Sequence, residues 1–238
     1  MKYWIDSRPL TGPQWCGDFV DCIPLSTYRH AVIAGEVAGH GTAARDGAIA
    51  LHRHIRTQVC RQAPLTTGMR GACDAFTRII IKEATPFASL FVAVVDLENR
   101  VMRYASAGHE PGLLFRGDGT HEHLDPTGPL LGTETVPVFG DRVLDLNEES
   151  LLVVVTDGIT EARMRHPDQT APFGTRGVVE AVRTALRHRR DPAREVCSAA
   201  LQYAGGVLAD NGSVVISSLS PPTVFATTAA ARPVKLRR

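Results

Sequence analysis

The sequence predicts an α+β fold in which sheets are covered by helices on their outer faces. Three observations carry this expectation. Strand-like and helix-like segments are grouped along the chain rather than strictly alternating, which disfavours a doubly wound parallel sheet or a barrel of alternating units. At 238 residues the chain is long enough for one large domain with a sizeable core. Its content, 44% hydrophobic and 21% charged, is that of a folded globular protein and not of a disordered one.

The elements follow from the spacing of apolar residues. Residues 30–35, 88–95, 101–105, 113–115, 151–155 and 214–218 are short runs rich in Val, Ile, Leu or Phe, bounded by or close to Gly, Pro, Asp or Asn, and read as strands. Asp96-Leu97-Glu98-Asn99 joins two of them as a hairpin turn. Ala44, Ala48, Leu51, Ile55 and Val59 share one face of a helix, as do Met69, Ala72, Phe76 and Ile79. Pro64 and Gly68 punctuate this first pair. A second pair is carried by Val179, Val182 and Leu186, then by Val196, Ala200, Tyr203 and Val207, with Asp191-Pro192 placed as N-cap and first helical residue. Residues 116–140 and 164–174 read as loops. Residues 1–220 form the expected domain, and 221–238, with Arg232, Lys235, Arg237 and Arg238, a disordered basic tail.

Several classes are disfavoured. The 26 Lys and Arg nearly balance 25 Asp and Glu, so the usual electrostatic case for nucleic-acid binding is missing. No apolar run reaches the roughly 18 residues of a membrane span, and residues 1–12 hold no apolar core of a secretory signal. The five cysteines (Cys16, Cys22, Cys60, Cys73, Cys197) include no C-x-x-C pair. That pattern fits buried, reduced thiols of a cytoplasmic protein. Gly39-His40-Gly41 lacks the Gly-Lys-Ser/Thr ending of a phosphate loop, and no Gly-x-Ser-x-Gly elbow occurs. His40 and His109 read as loop histidines with structural hydrogen bonds rather than as acid/base groups.

The acids at strand ends hold more information. Asp18 lies in Cys16-Gly17-Asp18-Phe19-Val20-Asp21, Glu36 follows residues 31–35, Asp157 follows residues 151–155 and precedes Gly158, and Asp210 precedes Asn211-Gly212 and the last strand. A carboxylate so placed costs free energy unless it is solvated, paired or bound to a cation. Each one alone also reads as a turn or cap residue. Together, carboxylates converging at one edge of a sandwich would suit Mg²⁺ or Mn²⁺ and a hydrolytic site.

Five blocks then bear a family resemblance: CGDFVDCIPL at 16–25, GEVAGHGTAA at 35–44, ASLFVAVVDL through RYASAGHEP at 88–111, LLVVVTDGITEAR at 151–163 and DNGSVVI at 210–216. In order and spacing they resemble the SpoIIE/RsbU branch of the metal-dependent (PPM, type 2C) protein serine/threonine phosphatases. The resemblance implies a four-layer αββα sandwich, two antiparallel sheets flanked by helices, with a centre for two Mn²⁺ or Mg²⁺ ions at one end. By motif, Glu36 takes the place of the bridging aspartate, the Val37 carbonyl is a further ligand, Asp157 and Asp210 match ligand aspartates, and Asp18 matches the acid of the opening block. The implied reaction is hydrolysis of phosphoserine or phosphothreonine by metal-activated water, without a phosphoenzyme. Glu36 departs from the family's Asp by one methylene, so the site is readjusted, holds metal more weakly, or is inactive.

The branch acts on phosphorylated regulators of bacterial sigma factors, typically anti-sigma-factor antagonists of the STAS type, and such a partner is the implied substrate. With no room for a sensor domain, the chain resembles the free-standing RsbX-type form. Two alternatives stand beside the phosphatase: a catalytically weakened phosphatase-like module that sequesters a signalling partner, and a metal hydrolase of small phosphate esters.

Overall fold

A computed structural model describes residues 2–8, 17–39, 41–83, 87–147, 149–164 and 171–220. Ten strands form two antiparallel sheets. The first holds β1 (Tyr3–Arg8), β10 (Gly212–Ser218), β9 (Leu151–Val155), β6 (Gly112–Phe115) and β7 (His121–Leu124), in that spatial order. The second holds β2 (Asp18–Pro24), β3 (Arg29–Val37), β4 (Ala88–Asp96), β5 (Val101–Ala107) and β8 (Arg142–Asp145). Helices α1 (Gly41–Cys60) and α2 (Leu65–Glu83) cover the second sheet, and α4 (Gly174–His188) and α5 (Pro192–Tyr203) cover the first. A one-turn helix, α3 (Asp157–Thr160), leaves the end of β9. The result is the expected four-layer αββα sandwich.

The core strands are apolar on both faces because both faces are covered. Along β3, Ala31 and Ile33 face Leu51, Ile55 and Met69 of the helices, while Val32 and Ala34 face the other sheet. Along β9, Val153 and Val155 face α4 and α5, while Leu152 and Val154 point between the sheets toward Phe91 and Val215. Asp191 caps α5 as expected, its carboxylate accepting from the Arg194 amide at 3.0 Å. The hairpin at 96–99 closes with Asp96 Oδ1 accepting from the Asn99 amide.

Four strands depart from the sequence expectation. β1, β2, β7 and β8 do not stand out as apolar runs, and β7 interrupts the loop expected at 116–140. All four are edge strands. With one side unpaired, they carry polar residues such as Asp6, Asp21, His121 and Arg142 and lack the continuous apolar signature. The last helix ends at Tyr203, before Val207, because Gly205 and Gly206 take left-handed conformations (φ 73° and 94°). Cys22, Cys73 and Cys197 are buried thiols, whereas Cys60 is exposed, contrary to the expectation of uniform burial. The expected tail at 221–238, His40, Cys16 and most of the loop at 164–174 lie outside the described residues. No helix among the described residues is long and apolar enough to cross a membrane.

Candidate metal centre

The layer between the sheets changes character along its length. Its middle is Val32, Ala34, Phe91, Ala93, Leu152, Val154 and Val215. Two residues further along each strand, the alternating pattern delivers Glu36 from β3, Ser89 from β4, Thr156 from the end of β9 and Ser213 from β10 to one end of this layer. Asp18 is the Cα partner of Glu36 across β2 and β3, so the two side chains share that face. Asp157 opens α3 directly after β9, and Asp210 lies two residues before β10. Acids far apart in sequence thus meet where the sheets end together.

Glu36, Asp157 and Asp210 each offer a carboxylate oxygen, and these three atoms lie within 4.8 Å of one another. Glu36 and Asp157 are half-buried, Asp210 exposed. Burial, then the neighbouring charges of Asp18, Asp157 and Asp210, push the Glu36 carboxyl up to about 9, and it shares a hydrogen bond with Asp157. Asp157 is also raised, by burial and then by Asp210. Asp18 sits beside the three rather than among them. Its Oδ2 accepts from Thr156 Oγ1 at 2.7 Å. Burial pushes it up to about 7, against the lowering effect of hydrogen bonds from Thr156 and Ser213. Glu36, despite its extra methylene, thus reaches the other acids.

Two glycines permit these close approaches. A Cβ at Gly158 would lie 1.9 Å from the Asn211 carbonyl oxygen, so only glycine lets the turn carrying Asp157 sit against the one carrying Asp210. A Cβ at Gly17 would lie 2.2 Å from the Val37 oxygen. The Gly17 carbonyl in turn accepts from the Val37 amide at 3.1 Å.

Other residues here escaped the sequence reading. Thr156 and Ser213 supply the hydroxyls around Asp18. Glu110 accepts from Thr160 Oγ1 at 3.1 Å, and its charge is among those raising Asp157. The signal for Thr156 and Ser213 was strand alternation, which carries the inter-sheet face two residues beyond its last apolar member. His109 has the structural hydrogen bond expected of it. Its Nδ1 pairs with Ser89 Oγ at 2.7 Å, and burial holds its imidazole down at about 4, hence neutral.

A divalent cation fits this donor set. All the donors are oxygens, the ligand preference of hard cations. Among the described residues no Lys or Arg forms an ion pair with Glu36, Asp157 or Asp210. Repulsion that no described Lys or Arg relieves by an ion pair is what a bound metal would offset.

The fold is that of PP2C phosphatase domains. The PP2C phosphatase domain of the cell fate determinant SpoIIE from Bacillus subtilis shares it with a TM-score of 0.72 at 15% identity, over 90% of this chain and 61% of that one. RsbX, solved in complex with magnesium, gives 0.69 at 14% identity, over 92% and 94%. In sequence, residues 26–219 match the family described as Stage II sporulation protein E (SpoIIE), and the chain belongs to that family. Phosphoserine phosphatase RsbU of Bacillus subtilis (strain 168) is 32% identical over 82 residues, 34% of this chain and 24% of that protein. The chain spans only 12% and 24% of the length of the curated relatives it matches.

Proposed function

We propose that this chain is a divalent-cation-dependent protein phosphatase that hydrolyses phosphoserine or phosphothreonine on a regulatory partner protein. One observation carries the reading: Glu36, Asp157 and Asp210 present carboxylate oxygens within 4.8 Å of one another from three separate stretches of chain. Asp18, Glu36, the Val37 carbonyl, Asp157 and Asp210 are the groups that would hold two Mn²⁺ or Mg²⁺ ions. Bound there, the ions would supply positive charge to phosphoryl oxygens and lower the pKa of water. The chain's own part is to hold its carboxylates at fixed separation on a rigid sandwich and to anchor Asp18 across the sheets. Membership of the SpoIIE family and the likeness to RsbX, solved with magnesium, support this reading. The likeness to phosphoserine phosphatase RsbU favours a phosphorylated signalling protein, such as a STAS-type anti-sigma-factor antagonist, as substrate.

The test is release of phosphate from a phosphoserine protein by the purified chain, with Mn²⁺ or Mg²⁺ varied and Asp157→Asn alongside. Metal-dependent turnover lost in the variant supports the reading. Turnover that ignores either the metal or the substitution overturns it. Metal binding without turnover on any phosphoprotein would instead favour a phosphatase-like module that captures a partner.

A further inference from the structure

Resting on the metal-centre reading, we propose that Thr156 is a positioning residue: its hydroxyl is the cross-sheet clamp that fixes the Asp18 carboxylate beside Glu36, Asp157 and Asp210. Thr156 is fully buried. Its amide donates to the Ser213 carbonyl at 3.0 Å, and its carbonyl accepts from the Ile159 amide at 3.1 Å. Its Oγ1 accepts from the Ser213 amide at 2.9 Å and lies 2.7 Å from Asp18 Oδ2. A hydroxyl has one hydrogen. The Ser213 amide occupies one of the two acceptor sites of this oxygen, and the hydroxyl donates its hydrogen to Asp18 Oδ2.

The local geometry shows that the hydroxyl has been diverted from its ordinary use. Thr156 is the N-cap of α3, where a threonine side chain usually accepts from an amide of the first turn. No such bond forms. The oxygen turns instead toward the other sheet, and the Ser213 side chain bonds to the same carboxylate. Asp18 comes from an edge strand of the second sheet, whereas Thr156 and Ser213 belong to the first. The clamp therefore also sets how the two sheets meet at the acidic end. An outer partner that orients a ligand carboxylate typically tunes metal affinity about 10–100-fold.

The experiment is Mn²⁺ binding to the full chain by titration calorimetry, with unfolding by denaturant measured in parallel. Thr156→Val keeps the shape and removes the hydroxyl, and Thr156→Ser restores it. The expected result is a loss of Mn²⁺ affinity of about 10–100-fold in the valine variant, with recovery to within a few-fold in the serine variant. A merely structural threonine would lower stability in Thr156→Val and leave Mn²⁺ affinity unchanged, and that overturns the proposal. So does a serine variant as weak as the valine one. Should Thr156→Val not fold, Thr156→Ala takes its place, and unchanged Mn²⁺ binding there overturns the clamp. A wild-type chain that binds neither Mn²⁺ nor Mg²⁺ overturns the metal reading itself, an outcome distinct from failure of the clamp alone.

Discussion

Gly158 offers the sharpest geometric test of the site. An alanine methyl there would lie 1.9 Å from the Asn211 oxygen and 2.6 Å from its carbonyl carbon. Both are backbone atoms and cannot swing aside like a side-chain tip. Ordinary contact begins near 3.4 Å, so the two turns must part by about 1.5 Å. Asp157 is the residue before Gly158, and Asp210 the residue before Asn211. The separation falls directly on two of the three converging carboxylates. A misplacement of ~1 Å costs about 100-fold in a reaction that depends on positioning, so Gly158→Ala is expected to lose at least about that much in kcat/KM. Mn²⁺ affinity should fall with it. The control is Gly68→Ala in α2, where the nearest atoms are Ile55 Cδ1 at 3.4 Å and Gln58 Cβ at 3.6 Å. There the substitution fits, and helix propensity favours alanine by up to about 1 kcal/mol. Calorimetric Mn²⁺ titration, phosphate release and circular dichroism on both variants make the comparison. A folded Gly158→Ala with wild-type Mn²⁺ affinity and turnover would refute the reasoning.

Glu36→Asp retracts the carboxylate by one methylene from Asp157 and Asp210. It should weaken Mn²⁺ binding by about 10–100-fold, read by calorimetry, and tighter binding would show that the site is not built around glutamate. Saturating Mn²⁺ should raise the melting temperature, because a cation at 100 times its Kd adds about 2.7 kcal/mol. For a chain of this size that is a shift of roughly 5–10 °C, absent in Asp157→Asn by scanning calorimetry. His30 is buried against Ser217 Oγ at 2.7 Å, and burial holds its imidazole down at about 4, from 6.5. The unfolded chain takes up that proton first, so the folded state loses about 3 kcal/mol as pH falls from about 6.5 to about 4. His30→Gln should flatten this share of the pH slope in urea titrations, and an unchanged slope would rule His30 out as its source.

What the sequence made legible follows from burial. Six strands announced themselves as apolar runs because each lies inside a sheet with both faces covered: β3, β4, β5, β6, β9 and β10. The four edge strands did not, since a strand with an open side needs no continuous apolar signature. The acids were legible for a related reason. Glu36 and Asp157 stand just past fully buried runs, where an ionisable group demands an explanation. Thr156 escaped because a buried threonine at a helix start has an ordinary reading as a cap. Only its partners across the sandwich show the hydroxyl turned toward Asp18. The register that sets Asp18 opposite Glu36 was equally invisible, since it belongs to the pairing of β2 with β3 and not to either strand alone.

The inter-sheet layer explains why the chemistry sits where it does. Its middle is largely apolar, with Ser106 opposite Phe91, and most of its polar groups gather at its two ends: His30 with Ser217 at one, and Asp18, Glu36, Ser89, Thr156 and Ser213 at the other. The His30 end holds neutral groups, His30 with Ser217 and the Cys22 thiol, as a buried layer requires. The acidic end behaves in the opposite way. Burial and then neighbouring carboxylates raise the proton affinity of Glu36 and Asp157, with no described Lys or Arg paired to the three that converge. Stability alone would select against such repulsion, because an amide in place of one carboxylate would relieve it. The fold instead maintains it with a glycine that admits the Asn211 carbonyl and a threonine hydroxyl drawn away from its helix. A destabilising arrangement held in place by several independent devices is the signature of a site kept for what it binds.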